Sequence, residues 1–563
     1  MKMAAFRPLP LLALTALSFL TLVFVLIAST AGGWELIKTA LQNNSGSWSV
    51  TTIDRVLTQR FMLLSPLINS LLLSLPVALF ATIIGGLLAW LAERSDFYAG
   101  RWLIVLVALP HIIPGFQLAS AWVGIFSFGG LWAAITHSAA PFPAYGYGPM
   151  LVVLTLHFIL FPYLLISASL QAADPAMEEA GRIAGLSARR LFFRITLPLT
   201  RPALFASLLL VFASVMEEFG IPSLLGTPSG FDTLTTRIYG LATTYPLDLS
   251  GASFLALVLG VVALVILWTQ LRLLADVRIE SIAGKVSRQS RSALGRWRWP
   301  LGFVIWFVML LLALAPFLTL LVVSLLDSWG HGYGPTNWTF ARYSALWESQ
   351  ELRRALLNTL MLALGSAVLV TISAVAIVYT MQRKGGLWLG RIARLADRVS
   401  FVAFALPGLV IGVALILAFS GGWLPLYGTI WILLLAYTLR FSGIGIRTIS
   451  ARLMQISVEL ESAAEVGGLH RLQIMARIVL PLLGPALISS SILVFINSVK
   501  EISATSLLAA QGSETLAYEA YLRFQEGSYT QGSAISIVMI ALVLVFMLVG
   551  RLASRAMPSI HTS

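Results

Sequence analysis

The chain has no cysteine among its 563 residues, which excludes a disulfide framework and any thiolate-held metal. Charge is scarce too: Asp, Glu, Lys and Arg make up 11% of the residues, against roughly 25% in soluble domains. Histidine is scarcer still. There are six, none at a ligand spacing such as H-x-x-x-H, so no stable metal centre is expected. No G-x-x-x-x-G-K-[ST] phosphate loop occurs; Gly284-Lys285 is followed by Val286 and lacks the first glycine. No paired acid/base or nucleophile constellation stands out, so no catalytic residue is expected. Basic patches interleaved with aromatics are missing as well, which argues against nucleic acid as a partner.

What the chain has in abundance is apolar length. It is 58% hydrophobic with a mean hydropathy of +0.89, the composition of an integral membrane protein. Apolar runs near 9–31, 63–92, 103–126, 149–170, 201–225 and 251–271 are each long enough to cross a bilayer. A second set follows at 301–326, 356–381, 400–420, 426–446, 483–508 and 532–551. None alternates with the period of a strand, so twelve membrane-spanning helices are expected, six per half. Between the sets, 276–299 is rich in Arg, Ser and Gly and reads as a linker joining a first half, 1–275, to a second, 300–563.

The net charge of +13 matters less than its placement. With the N-terminus inside, Lys2, Arg7, Arg94, Arg101, the Arg182–Arg201 group, the 272–298 cluster, Arg383 to Arg398 and Arg447 to Arg477 all fall on one face. The loops at 127–147 and 421–425, on the other face, hold no Lys or Arg. The positive-inside rule then puts both termini in the cytoplasm, with the basic residues against anionic membrane lipid. The 9–31 run has the basic start of a secretory signal, but it exceeds the roughly 7–15 apolar residues of a signal core and reads as a retained helix.

One polar segment recurs at half the chain length. Glu178-Glu179-Ala180-Gly181-Arg182-Ile183-Ala184-Gly185, then Ile195-Thr196-Leu197-Pro198, returns 283 residues later. The second copy is Glu461-Ser462-Ala463-Ala464-Glu465-Val466-Gly467-Gly468, then Ile478-Val479-Leu480-Pro481. Nine residues separate the last glycine from the isoleucine in both. Asp174 and Ser457 read as helix N-caps, with Pro175 tolerated at the first helical position. The acids that follow sit at a positive helix end. Gly185 and Gly468 read as helix stops, and Pro198 and Pro481 as the start of the next span. Each copy, 174–198 and 457–481, lies between the fourth and fifth run of its half. The expected product is a short helix against the membrane face whose small residues let a partner approach closely.

Other short matches pair the halves: Asn69-Ser70-Leu71 with Asn358-Thr359-Leu360, Pro114-Gly115 with Pro407-Gly408, and Pro202-Ala203-Leu204 with Pro485-Ala486-Leu487. With six spans in each, the repeats are parallel, related by an axis along the membrane normal, and a translocation path is expected on that axis. The outer segments 32–62, 226–250, 327–354 and 509–531 are polar and read as loops of a receiving surface.

The pattern Glu-Ala-Ala, three residues, Gly, nine residues, Ile-x-Leu-Pro resembles the cytoplasmic loop of ATP-binding-cassette importer permeases. The resemblance covers roughly 60–555. It implies an all-α type I permease fold whose Glu178, Glu179, Ala180, Gly185, Ile195 and Pro198 form one coupling helix and turn. Glu461, Ala463, Ala464, Gly468, Ile478 and Pro481 form the other. It further implies two copies of a cytoplasmic ATPase docked there, with ATP on those subunits and no cofactor on this chain. An external solute-binding protein and residence in the bacterial inner membrane follow from it too. The first copy departs at Gly181, where the family has Ala, and the second at Ser462, opposite Glu179; these changes bear on the strength of docking.

Cargo rests on two further segments. Glu217-Glu218-Phe219-Gly220-Ile221-Pro222-Ser223-Leu224-Leu225-Gly226 and Val499-Lys500-Glu501-Ile502-Ser503-Ala504-Thr505-Ser506-Leu507-Leu508 resemble the two halves of ferric-iron permeases. Ser503 stands where that branch has Pro. Thiamine, polyamine, phosphonate and oxyanion import remain open within the same class, and an ion-coupled secondary transporter is the rival of another class. Glu217, Glu218, Lys500 and Glu501 lie about 22–24 Å along a helix from Pro202 or Pro485, in the outer half of the membrane. Ionisable groups there mark a path by default, though capping a helix end or pairing with one another would also hold them. His157 and Arg440, also 283 apart in their fourth spans, either line the same path or have quieter roles, His157 satisfying a backbone carbonyl and Arg440 snorkelling inward or pairing with a neighbour.

Overall fold

The structure, a computed structural model, describes residues 30–42, 51–59, 61–275, 293–383, 387–421 and 424–556. All but the last two residues of the 9–31 run, and the linker over 276–292, lie outside them. Among the described residues ten helices are long and apolar enough to cross a membrane, or eleven if one bent pair is a single span. Inside a bilayer each backbone N–H and C=O must be paired within the protein, and a helix does this from its own segment.

Leu64–Arg94, Tyr147–Ala172 and Arg189–Glu217 pack against one another as the core of the first half, and Gln350–Gln382, Ile430–Leu453 and Arg471–Lys500 do so in the second. The outermost spans cross over. Arg298–Ser324, which opens the second half, packs on the third apolar run of the first, and Leu249–Ala275, which ends the first half, packs on Gly408–Phe419 of the second.

Those third runs are not the continuous spans that 103–126 and 400–420 suggest. The first is Leu103–Ile112 followed by Gly115–Phe126; in the second, Leu389–Ala405 and Gly408–Phe419 meet at 114°. Proline lacks an N–H and pushes the preceding residue out of the helical region. Pro114 and Pro407 adopt nearly the same backbone angles, φ −54° and ψ 144° against φ −55° and ψ 143°. Hydropathy runs straight through both breaks, so composition alone does not reveal them.

The fifth spans also differ from 201–225 and 483–508. They end early, at Glu217 and Lys500, because Glu218 and Glu501 are extended. They start early as well. Pro198 and Pro481 do not open them but sit ten residues inside helical runs that begin at Ala188 and Arg471, just after the π-helical turns Phe192–Thr196 and Met475–Val479. A π turn shifts the bonding pattern by one residue and carries the chain past the missing proline donor.

All four outer segments read as loops contain helix, Thr51–Thr58 and Ala341–Glu348 included, and two of these helices are tied to the second spans. Leu234–Thr243 and Leu516–Gln525 are helices with largely buried faces. The repeated Asn-Ser and Asn-Thr pairs hold them. Asn69 donates to the carbonyl of Asp232 at 2.9 Å, and Asn358 to those of Gly512 and Glu514 at 3.1 and 2.9 Å. Ser70 and Thr359 accept the first N–H of each helix, from Leu234 at 2.9 Å and Leu516 at 2.8 Å.

Candidate functional site: two anchored loops and a charged cavity

The repeated segments fold alike. Pro175–Ile183 starts at Asp174, which accepts from Ala176 N at 2.9 Å; Val458–Val466 starts at Ser457, which accepts from Glu459 N at 3.1 Å. Each ends in a glycine with φ +80°, Gly185 or Gly468. The following N–H reaches five residues back, Leu186 to Gly181 and Leu469 to Ala464, both at 3.0 Å. A left-handed residue closing such a bond is the helix stop for which glycine is suited. Gly181 has its own reason: a Cβ there would lie 2.6 Å from Ile195 Cδ1. The isoleucine of the motif thus packs onto the small position of its helix.

The acids of the motif divide into two kinds. Glu178 and Glu461 are 4% and 8% exposed and turned into the protein. Glu178 accepts from Thr196 at 2.9 Å and pairs with Arg94 at 3.5 Å. Glu461 accepts from Arg383 Nε at 2.7 Å and from Tyr379 at 3.1 Å. The outward surface is carried by other residues. Glu179, Ala180, Ser462 and Ala463 are exposed. The apolar tips Ile183 and Val466, again 283 apart, are 88% and 91% exposed. An isolated exposed Ile is unremarkable, but an equivalent one on both copies beside small residues makes two like contact points.

Arg94 and Arg383 entered the sequence reading only as positive charges on the inner face. Each is the last or next residue of its second span, with a shared spacing of 289, the same as for Asn69 and Asn358. That coincidence was the signal available. Thr196 and Tyr379 carried none, since their counterparts are Val479 and Trp90.

The remaining candidates meet between the halves. A cavity of about 180 Å³ is lined by Glu217, Glu218, His111 and His157 from the first half and by Arg440, Lys500 and Glu501 from the second. Arg440 reaches Glu501 at 3.3 Å and, across the interface, Glu217 at 3.9 Å. Lys500 donates to the carbonyl of His111 at 3.2 Å, a second link between halves. Glu501 also accepts from Ala504 N at 2.9 Å, Thr505 N at 3.0 Å and the Thr505 hydroxyl at 2.6 Å, and Glu218 more weakly from Ile221 N at 3.4 Å. These two acids cap the turn that follows the fifth span, whereas Glu217 and Lys500 face the cavity.

His157 Nδ1 lies 3.2 Å from the carbonyl of Pro110, and His111 Nδ1 lies 3.0 Å from that of His157. A carbonyl only accepts, so each Nδ1 carries a proton. The Pro-Gly breaks make room for this cluster. A Cβ on Gly408 would collide with the Arg440 guanidinium, and one on Gly115 would lie 2.8 Å from Glu218 Oε1. Among the described residues, no three of His, Cys, Asp and Glu come together as a group that could hold a metal ion.

Comparison with known proteins matches this arrangement. The model of the family described as binding-protein-dependent transport system inner membrane component matches twice, at residues 81–280 and 385–558. The ferric transport system permease protein FbpB of Actinobacillus pleuropneumoniae is 28% identical over 413 residues, covering 71% of this chain and 58% of that protein. The Fe(3+)-transport system permease protein FbpB 2 of Haemophilus influenzae is 24% identical over 494 residues, covering 85% of this chain and 88% of that protein. The crystal structure of a bacterial ABC transporter that imports the acidic polysaccharide alginate superimposes at a TM-score of 0.36 and 18% identity, over 47% of this chain and 96% of that one, a likeness too distant to weigh. Each matched segment holds one of the two anchored loops, and the chain belongs to the family of binding-protein-dependent transport system inner membrane components, carrying its domain twice in one polypeptide.

Proposed function

We propose that this chain is the complete membrane pathway of an ATP-driven, binding-protein-dependent importer, with ferric iron as its cargo. Two ATPase subunits dock on the loops at 174–198 and 457–481, on the cytoplasmic side, where both termini also lie. A solute-binding protein delivers cargo to the opposite face. The observation that carries the reading is the pair of loops: each is a capped short helix with an inward acid, an outward apolar tip and the same glycine stop. Iron is supported by the names of the relatives, which are ferric permeases over 71% and 85% of this chain.

The charged cavity is the closed barrier of the pathway. Arg440–Glu217 and Lys500–His111 are bonds between halves, so rocking the halves apart about their axis must break both. Cargo then passes this cavity, where Glu217 presents a carboxylate, the ligand type that suits a hard cation, without the gathered acids that would retain one. Glu178 and Glu461 act from behind the docking surface, while Glu179, Ala180, Ala463 and the tips touch the ATPase.

The test uses the chain reconstituted with its ATPase and binding protein in liposomes. Ile183→Glu with Val466→Glu, at exposed positions where folding is undisturbed, is expected to abolish ATPase binding and uptake together. For cargo, thermal shift of the cognate binding protein is compared for ferric iron, thiamine, polyamines and phosphonates. A binding protein that ignores ferric iron and answers to an organic ligand overturns the iron assignment and leaves the importer class standing.

A further inference from the structure

The arginine at the end of each second span is tied to three elements in a pattern that the two halves share residue for residue. Arg94 Nη2 donates to the carbonyls of Leu170 at 2.7 Å and Ala173 at 3.1 Å, and its Nε lies 3.5 Å from Glu178. Arg383 Nη2 donates to the carbonyls of Leu453 at 3.2 Å and Ile456 at 2.6 Å, and its Nε to Glu461 at 2.7 Å. Every partner in the second set is the first-set residue plus 283. The residue before each arginine joins in: Glu93 accepts from Ser167 at 2.7 Å, and Gln382 donates to Ser450 at 2.7 Å, again at equivalent positions.

The carbonyls lie at and just past the C-terminus of the fourth span, where a helix runs out of N–H partners and a cation is favoured. A guanidinium presents five donors in a rigid planar fork, so one side chain can hold both carbonyls and the carboxylate at once. A lysine, with its point charge on a flexible stem, cannot hold all three. Arg94 is buried and Arg383 largely so, with side chains 1% and 12% exposed, and neither faces the outward surface of its loop.

We infer that Arg94 and Arg383 are positioning residues that convert movement of a docked loop helix into movement of the second and fourth spans as one body. This rests on the loops being ATPase docking sites. In each half the arginine is a joint where loop helix, second span and fourth span all meet. Loosening it leaves the outward contact surface intact, with Glu179, Ile183 and Val466 in place, but lets the loop helix move without carrying the spans.

The experiment measures cargo moved per ATP hydrolysed by the purified permease–ATPase complex, in liposomes with loaded binding protein. The wild-type complex must first assemble and transport; if it does not, the importer reading fails and the clamp is not reached. Given that, Arg94→Lys and Arg383→Lys are expected to retain the ATPase at wild-type stoichiometry and to keep hydrolysing ATP. Transport per ATP should fall at least fivefold in each, and further in the double variant. Glu93→Gln, which turns this neighbour into the residue found in the other half, should leave the ratio at the wild-type value. The inference is overturned if both lysine variants transport at the wild-type ratio, if hydrolysis and transport fall in proportion, or if the variants lose the ATPase, which would make the arginines docking or folding residues.

Discussion

The two halves share a frame and differ in how they satisfy it. Glu178 and Glu461 occupy the same buried place, yet one takes its hydroxyl partner from Thr196 on the fifth span and the other from Tyr379 on the second. Outside, Glu179 faces Ser462. In the cavity, Glu217, Glu218 and His157 of the first half stand where Lys500, Glu501 and Arg440 stand in the second. Backbone features that sterics alone dictate are kept in both: the Pro-Gly breaks, the φ +80° glycines and the π turns. Polar partners have diverged wherever a second residue can supply the same bond. Carrying both domains in one chain allows this, because the two halves need not be identical.

The comparison is broken most severely by removing one arginine. Arg383→Ala leaves Glu461 buried without its cation and should cost about 3–5 kcal/mol, as should Arg94→Ala with Glu178. Thermal unfolding of the detergent-solubilised protein would read this loss. Arg383→Met combined with Glu461→Met should recover most of it, since a buried pair replaced by apolar side chains is often close to neutral. A double variant no better than the single would mean that the arginine is held for its carbonyl bonds alone.

Exchanging partners sharpens the contrast. Thr196→Val, which installs the residue of the other half, removes a hydrogen bond to a charged acceptor and should cost about 1.5–3 kcal/mol. Val479→Thr should change unfolding little, because Glu461 already has Tyr379. Equal effects at the two sites would show that the halves are not anchored differently after all.

Arg440→Gln tests the cavity. It weakens the tie to Glu217 across the interface and should raise ATP hydrolysis in the absence of binding protein about tenfold, equivalent to about 1.4 kcal/mol on the closed state. His157→Gln, the counterpart position, makes no bond between halves through its side chain and should leave that basal rate near wild type. A smaller loss of stability is expected at the glycine stops. Gly185→Ala and Gly468→Ala should each cost about 1 kcal/mol, the penalty of a Cβ in the left-handed region, and should do so equally.

Much of this architecture was legible in the chain. Long apolar runs in a sparsely charged sequence imposed the helices, and the caps at Asp174 and Ser457 and the stops at Gly185 and Gly468 announced themselves because they depend on local chemistry. The breaks at Pro114 and Pro407 were visible as repeated dipeptides but not as bends, since both sides of each break are equally apolar. Pro198 and Pro481 misled as helix starts, because a π turn can absorb a proline that local rules place at a terminus. The outer helices Leu234–Thr243 and Leu516–Gln525 were hidden by their polar flanks. The arginine clamp needed the fold itself. Its partners come from segments 70 or more residues apart, and no local signal separates Arg94 from the other basic residues of that face.

The central claim is that one chain presents two ATPase docking sites. Native mass spectrometry of the complex, purified through a tag on this chain after co-expression with its ATPase, tests it most directly. The account predicts one copy of this chain with two ATPase subunits, falling to fewer than two when Ile183 or Val466 alone is changed to Glu. A wild-type complex with one ATPase or none, or with two copies of this chain, would contradict it.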